Sequence, residues 1–372
     1  MKDLGIVIPL WLEAIFFAIY VVVFCLFVKA YNSRRIFVLD KKYTIIFLVF
    51  FMIFAVYYCL DGDYYRYKIH VEKASDIYRP DTIEYVYQRL AFYINGNYNL
   101  FRLIVWGGAI ILMSISTKLM RVNVLFMLMS IFVIYYEKVV YARATMGMSI
   151  YFLGLCLLLY CLDRKKIVFV VAAIAIIIIS IFFHRSMIFL IALTPTLVVP
   201  LENKKMRVLM VVSLAFIALA LTQIDFLSEL MHNDEEYDTK YDKYNSHILG
   251  GRWAIDSIKS LVSNLFSYTL FYLPFFYISS SITKYGSQIP LLIRRLYRIN
   301  FSVIAISTSF FILHGGIDVF FYRTLYMCMI PICILLSYCS KVRIISRKKM
   351  QSILIIAFVY MLLHFMTSIY NS

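Results

Sequence analysis

Two histidines, an aspartate and a larger set of arginines and tyrosines are the residues of this sequence best suited to chemistry. A neutral histidine accepts a proton near neutral pH, and a carboxylate can do the same. The candidate general bases are His184, His314 and Asp63. An arginine guanidinium binds phosphate oxygens in pairs, and a tyrosine offers an apolar ring face together with a hydroxyl. The candidates for binding an anionic, sugar-bearing ligand are Arg143, Arg185, Arg252, Arg323, Arg66, Arg102, Tyr67 and Tyr141.

His184 is the favoured base because it stands beside Arg185, which would place proton acceptance next to a bound anion. His314 and Asp63 follow in that order. The alternative for His184 is a structural histidine, hydrogen-bonded to a neighbouring hydroxyl such as that of Ser186. The sequence therefore predicts a base beside an anion site, and leaves the choice among three bases open.

Long apolar segments must position these residues. Hydrophobic residues make up 63% of the 372-residue chain, and the mean hydropathy is +0.81. About 20 apolar helical residues cross a bilayer core, so we predict an all-α polytopic membrane protein with about twelve transmembrane helices in a single domain, 1–372. The predicted spans are 6–28, 43–60, 99–117, 122–140, 144–162, 167–183, 187–201, 208–224, 262–283, 300–317, 322–340 and 350–369.

Basic residues predict how the helices are oriented. With the N-terminus outside, six inside loops carry 22 Lys and Arg residues and only three acidic ones. Cytoplasmic loops are rich in Lys and Arg, so both termini are expected on the extracytoplasmic side. The net charge of +16 is then a topology signal, and no nucleic-acid partner is predicted. The six loops are 29–42, 118–121, 163–166, 202–207, 284–299 and 341–349.

Several arginines stand at the outer ends of these spans, where the orientation rule disfavours them. They are Arg102, Arg143, Arg185 and Arg323. An ionisable group at such depth is costly and commonly marks a binding site. The alternative is that each side chain extends separately to the lipid headgroups. Because several arginines share this placement, a common anionic ligand is favoured. Arg252 joins the set because the two preceding glycines allow a ligand to approach the backbone.

Two loops, 61–98 and 225–261, are longer than the rest, and both are extracytoplasmic in this topology. Apolar residues recur with helical spacing over 83–94, which predicts an amphipathic helix lying on the membrane surface. Glu84, Gln88 and Arg89 fall on its polar side. A second apolar stripe near the end of the other loop leads into the next span.

Known nucleotide and metal motifs are missing from the sequence. There is no P-loop, no G-x-G-x-x-G and no H-E-x-x-H, so an activated group must arrive on a membrane-borne substrate. The seven cysteines lie in apolar segments and are expected to pack there rather than to form disulfides or a zinc site. A divalent cation at Asp61 and Asp63 is a less favoured alternative, and no cofactor is predicted. The first span shows no cleavage site and is expected to remain as an anchor.

Several short motifs resemble the EpsG/Wzy family of bacterial polysaccharide polymerases, in order and over most of the chain. The sequence departs from the family at Gly62-Asp63, where the family commonly has one more residue. The segments that carry the resemblance are Gly62–Tyr67, Glu84 with the helix after it, Asn97–Arg102, Tyr141–Met148 and Phe183–Ser186.

The resemblance implies a glycosyltransferase with a GT-C-like helix bundle in the bacterial inner membrane. Donor and acceptor would both be undecaprenyl-diphosphate-linked glycans on the outer face, and the product an O-antigen or exopolysaccharide chain. Membrane lipids, a flippase and a chain-length regulator are the expected partners. A flippase for lipid-linked oligosaccharides is the rival interpretation, because twelve spans with buried charges also suit a transporter. A flippase would need polar residues in the inner halves of several spans, and the sequence offers few.

Overall fold

The computed structural model describes residues 10–39, 41–57, 68, 71–72, 85–139, 142–166, 168–223, 258–313 and 324–371. All the regular elements within these ranges are helices. The helices are α1 (Leu10–Asn32), α2 (Lys41–Tyr57), α3 (Tyr85–Tyr93), α4 (Tyr98–Leu119), α5 (Val124–Val139), α6 (Ala142–Arg164), α7 (Val168–Phe183), α8 (Met187–Leu193), α9 (Lys204–Gln223), α10 (Ile258–Tyr285), α11 (Leu291–Leu313), α12 (Met329–Lys341) and α13 (Arg347–Asn371).

The helical, membrane-spanning character predicted from hydropathy is confirmed. Within the described ranges, six helices are long and apolar enough to cross a bilayer. Each of the other predicted spans also overlaps a helix, but those helices are shorter or more polar. The total of about twelve crossings stays a prediction. The six long apolar helices are Trp11–Asn32, Tyr98–Leu119, Ala144–Arg164, Leu265–Gln288, Thr324–Lys341 and Arg347–Met366.

The basic loops contact one another at one end of the bundle, as a shared side of the membrane requires. Arg34 donates from both terminal nitrogens to the Ser340 and Lys341 carbonyl oxygens, each at 2.8 Å. These two carbonyl groups lie at the C-terminal end of α12. The last carbonyl oxygens of a helix have no amide donor in a following turn, and the helix dipole favours a cation at this end. Arg121 pairs with Asp163 at 3.2 Å, which joins two further basic loops.

Further contacts extend this end of the bundle. The Asn123 side chain donates to the Ile36 carbonyl at 3.2 Å, and Arg298 is paired with Glu202 at 3.0 Å. Lys349 lies over the Tyr277 ring, with 5.2 Å from its nitrogen to the ring centroid. We call this end the basic face and the other end the opposite face.

Two glycines bring α6 and α7 into close contact. Gly147 and Gly154 are two turns apart and share one face of α6. A Cβ atom at Gly154 would lie 2.8 Å from Ile177 Cγ1 and 2.9 Å from the Ala173 carbonyl oxygen, so only glycine fits without a shift. Small residues allow such close helix packing inside membranes. At Gly147, α6 comes equally close to the turn that follows α7, and this contact fixes the position of the turn.

α10 contains a proline, and a tyrosine from α5 compensates for it. Pro274 has no N–H, so the Leu270 carbonyl loses its donor in the helix. The Tyr135 hydroxyl donates to that carbonyl at 2.8 Å, and both residues are buried. A backbone acceptor left without a partner inside a membrane is costly. The side chain therefore stabilises the interrupted helix and ties α5 to α10.

The cysteines mostly pack in the core, as the sequence predicts. Cys25 is the exception among those described, because its position on α1 is exposed. Cys59 lies outside the described residues. The buried free cysteines are Cys156, Cys161, Cys328, Cys333 and Cys339.

Candidate active site at the opposite face

His184 follows the last residue of α7 at the opposite face of the bundle. α7 begins beside the basic loop 163–166 and ends at Phe183. The His184 amide donates to the Ser180 carbonyl at 3.2 Å, and the Met187 amide donates to the His184 carbonyl at 3.0 Å. The histidine is thus held by backbone hydrogen bonds on both sides, and its side chain is half-buried.

The His184 ring is oriented by Ser186. The Ser186 Oγ is hydrogen-bonded to His184 Nδ1, and the Ser186 amide approaches the same nitrogen at 3.3 Å. When Nδ1 carries the proton and donates to Oγ, the lone pair of the ring lies on Nε2, which can then accept a proton. When Nδ1 accepts both contacts, the proton sits on Nε2. The Ser186 amide is a donor to Nδ1, so the structure shows the contact foreseen as the structural alternative, with the proton on Nε2. Use of Nε2 as a base needs the other tautomer, in which Nδ1–H donates to Ser186 Oγ and the amide contact is given up.

Gly147 fixes the position of His184 against α6. A Cβ atom at Gly147 would lie 2.9 Å from His184 Cβ and 3.3 Å from Met187 Cγ. Arg143 precedes Gly147 by one turn, so its backbone lies on the same side of α6, further toward the helix end. The fold therefore brings the turn that carries His184 close to the part of α6 that carries Arg143.

Arg102 is buried near the start of α4, with 2% of its surface exposed. Its Nη2 donates to the Ala55 carbonyl at 3.0 Å, close to the end of α2. The guanidinium carbon lies 4.8 Å from the Trp106 ring centroid and 5.8 Å from that of Tyr98. A π-helical turn, Leu103–Gly107, follows the arginine directly, and such turns are frequent at functional sites.

Tyr87 of α3 bridges the segments that carry Arg102 and His184. Its ring centroid is 5.9 Å from that of Phe101 and 5.8 Å from that of Phe183, and the side chain is fully buried. The surface helix predicted over 83–94 is thus confirmed as a helix, and it packs on α4 and α7 over the opposite face.

The burial of Gln88 differs from the exposed position that the sequence pattern predicts for it. The spacing put Gln88 on the polar side with Arg89, yet only 8% of its surface is exposed. Arg89 is exposed as expected. The reason is that α3 contacts two helices at once, so a wider arc of its surface is covered than the apolar stripe indicates.

The structure leaves part of the predicted residue set outside its described ranges. Arg185 is exposed beside His184. Arg143 lies in α6, and its side chain is not described. The predicted residues outside the described ranges are His314, Asp63, Arg252, Arg323, Arg66, Tyr67 and Tyr141.

Sequence reasoning missed the neutral residues that hold this site. The sequence signal for Gly147 is its place one turn after Arg143, among the small residues Ala144 and Thr145. Small residues commonly allow two helices to pack closely. Ala55 contributes only a backbone carbonyl, which leaves no signal in the residue type. Tyr87 falls on the apolar stripe of the segment 83–94, but its two aromatic partners come from other helices, which the stripe does not identify.

The described residues define a class: an all-helical protein with several helices long and apolar enough to cross a membrane, in which a histidine turn and a buried arginine lie toward one end of the bundle. A family model described as the EpsG family matches residues 41–372. The chain belongs to the EpsG family, which confirms the resemblance seen in the motifs. The searches of curated proteins and of solved structures gave no match.

Proposed function

We propose that this protein polymerises lipid-linked glycan repeat units into a polysaccharide on the outer face of the bacterial inner membrane. The observation that carries the proposal is the family match over residues 41–372, which includes every segment of the site described above. EpsG proteins are associated with glycosyltransferase-like polysaccharide polymerases. Donor and acceptor are both undecaprenyl-diphosphate-linked, and the product is an O-antigen or an exopolysaccharide.

In the proposed reaction, a hydroxyl oxygen of the acceptor sugar forms a bond to the anomeric carbon of the donor glycan. The bond from that carbon to the diphosphate oxygen breaks, and the lipid diphosphate leaves with the electron pair. For this step the His184 ring adopts the tautomer in which Nδ1–H donates to Ser186 Oγ in place of accepting from the Ser186 amide, and Nε2 takes the hydroxyl proton. His314 and Asp63 are the alternative bases.

Cations must stabilise the departing diphosphate, and arginines suit this task because their forks match phosphate oxygens. Arg185 is exposed next to His184, and Arg143 lies in the helix that faces it. Arg252 and Arg323, with Arg66, Tyr67 and Tyr141, complete the proposed binding surface. Arg102 is assigned a structural role beneath this binding surface. Its guanidinium is buried, donates to the Ala55 carbonyl and lies over the Trp106 ring.

The basic face is proposed to be cytoplasmic, with both termini outside and about twelve crossings in a GT-C-like bundle. The reaction then takes place where flipped lipid-linked repeat units arrive. A flippase supplies the substrate, and a chain-length regulator limits the product. No metal or other cofactor is required by the proposed steps.

A flippase is the less favoured function because the buried hydroxyls of the described spans are mostly committed. A transport path needs polar groups that can bind a moving headgroup. Ser116, Thr117, Ser149, Ser302 and Ser307 instead donate to carbonyls four residues earlier in their own helices. Polymerisation needs polar groups at one face alone, which is where His184 and Arg185 lie.

The test is polymer formation by the purified full chain. The protein in nanodiscs is incubated with a lipid-linked repeat unit, and the products are separated as a ladder of glycan lengths. His184→Ala should abolish the ladder, whereas His364→Ala, a histidine of α13 away from the turn, should retain it. Movement of intact lipid-linked units without any chain growth would favour the flippase instead.

A further inference from the structure

A buried ion pair stands at the basic face, between α9 and α11. Arg298 of α11 is 6% exposed and donates through Nε and Nη2 to the Glu202 carboxylate, at 3.0 to 3.3 Å. Its Nη1 donates to the Leu197 carbonyl at 2.8 Å. The donors of Arg298 are thus directed at two fixed acceptors, and its charge balances that of Glu202. The pair is structural.

Two more arginines flank this pair without a carboxylate of their own. Arg294, one turn earlier on α11, has its Nε 3.9 Å from the Glu202 carboxylate, beyond hydrogen-bonding distance. Arg207 of α9 donates from Nη1 to the Ser279 hydroxyl at 3.5 Å. It also lies within reach of the Tyr297 hydroxyl, to which Ser279 is hydrogen-bonded.

Both arginines are half-buried, and part of each guanidinium group is shielded from solvent. The Nε atoms of Arg207 and Arg294 are shielded from solvent and have no hydrogen-bond partner among the residues that the structure describes. Arg294 and Arg298 therefore share one carboxylate, Glu202, and Arg207 lies beside them without an ion pair among the described residues. Charged groups shielded from water need a counter-charge and hydrogen-bond acceptors. A ligand with several anionic oxygens would supply both.

The surface next to the two arginines is suited to acyl chains. Val211 lies one turn after Arg207 on α9, and Leu291 lies one turn before Arg294 on α11. Each apolar side chain therefore shares a helix face with its arginine, and both are exposed. In a membrane such residues contact lipid. A molecule with an anionic head at Arg207 and apolar chains along α9 would satisfy both features together.

We propose that Arg207 and Arg294 bind the phosphodiester headgroup of an anionic phospholipid in the leaflet at the basic face. Basic pockets between transmembrane helices on the cytoplasmic side bind anionic headgroups in this way. The two guanidinium groups provide paired donors for the phosphate oxygens. The site lies at the end of the bundle away from His184, so it does not depend on the proposed reaction.

Binding is measured by native mass spectrometry of the purified full chain in delipidated detergent. Phosphatidylglycerol is the probe, phosphatidylcholine with the same acyl chains is the zwitterionic comparison, and inorganic phosphate is the competitor. The wild type should retain phosphatidylglycerol preferentially. Arg207→Gln with Arg294→Gln should weaken that binding about tenfold per arginine removed. Arg121→Gln with Lys348→Gln, which removes the same charge from exposed positions of the same face, should leave it within about twofold.

Thermal unfolding separates a lipid site from a structural one. Phosphatidylglycerol should raise the Tm of the wild type and of the control variant, but not that of Arg207→Gln with Arg294→Gln. Without lipid, this double variant should unfold at the wild-type temperature or above, because uncompensated charge has been removed. A variant that melts earlier without lipid, yet gains as much from phosphatidylglycerol as the wild type, would overturn the proposal. Displacement of the lipid by millimolar inorganic phosphate would instead assign the site to a free anion.

Discussion

The contact between Ser186 Oγ and His184 Nδ1 determines which ring nitrogen can take a proton. If Nδ1–H donates to this oxygen, Ser186→Ala removes the group that selects the reactive tautomer and should lower kcat about ten- to hundredfold with little change in KM. The measurement is the initial rate of ladder formation at saturating repeat unit. Ser180→Ala is the matched control, because that hydroxyl donates to the Ile177 carbonyl of its own helix.

A double-mutant cycle tests whether Ser186 acts through His184. In a His184→Ala background the serine has no ring to orient, so the second change should leave the residual rate unaltered. Additive losses would mean that the serine contacts substrate itself, or that it maintains the fold.

The residue types of the site could be predicted, and their surroundings could not. His184 and Ser186 are two positions apart, so their contact could be foreseen from the sequence. Arg102 is expected at the end of a span, and it lies near the start of α4. Its burial against Ala55 and Trp106 depends on how α2 packs beside α4, and a charged residue gives no local sign of that.

At the scale of elements, the approach of α6 to the turn after α7 should control the site. Gly147→Ala would push His184 and Met187 aside, because the new Cβ would lie 2.9 Å from His184 Cβ. A displacement of this kind should reduce polymerisation about ten- to hundredfold, since small misplacements of a catalytic group are costly. The rate is compared at equal amounts of folded protein in the membrane.

Gly108→Ala provides the control for helix propensity. A Cβ there would meet the nearest Met146 atom at 3.5 Å, an ordinary contact. Both changes replace glycine by alanine inside a helix, which favours the helix by about 1 kcal/mol. Equal activity of the two variants would show that His184 tolerates the shift.

The break in α10 predicts a stability difference between two buried tyrosines. Tyr135→Phe leaves the Leu270 carbonyl without the donor that Pro274 cannot provide through the helix, and should cost about 1 to 3 kcal/mol. Tyr20→Phe should cost less, because its partner, the Val133 carbonyl, lies inside α5 where the helix supplies a donor. The Tm values in detergent give the comparison, and equal losses would contradict this explanation.

Sequence patterns located the helices better than their ends. The segment 284–299 is predicted as an inside loop because it separates the apolar spans 262–283 and 300–317, and its four basic residues place it inside. The structure begins α11 at Leu291, so Arg294 and Arg298 stand on its first turns. Helical spacing of Leu292 and Leu296, both buried, was the signal that the charge count obscured.

For the whole molecule, the alternation of the predicted spans groups the six basic loops on one face, and this grouping agrees with the contacts at the basic face. Arg34 to the end of α12, and Arg121 to Asp163, join loops that are far apart in sequence. Charge patterning is nearly independent of packing, which explains why it succeeds where side-chain partners could not be foreseen. Which face is cytoplasmic remains the proposal.

That proposal predicts opposite labelling of two serines replaced by cysteine in a background lacking the native cysteines. Ser346 is exposed at the basic face, just before α13, and Ser246 belongs to the long loop predicted to be extracytoplasmic. In intact cells a membrane-impermeant maleimide should modify the cysteine of Ser246→Cys. The cysteine of Ser346→Cys should react only after the membrane is permeabilised, because Lys and Arg are retained on the cytoplasmic side. The reverse pattern would place His184 and Arg185 at the cytoplasmic face, away from flipped repeat units, and would remove the basis for polymerisation there.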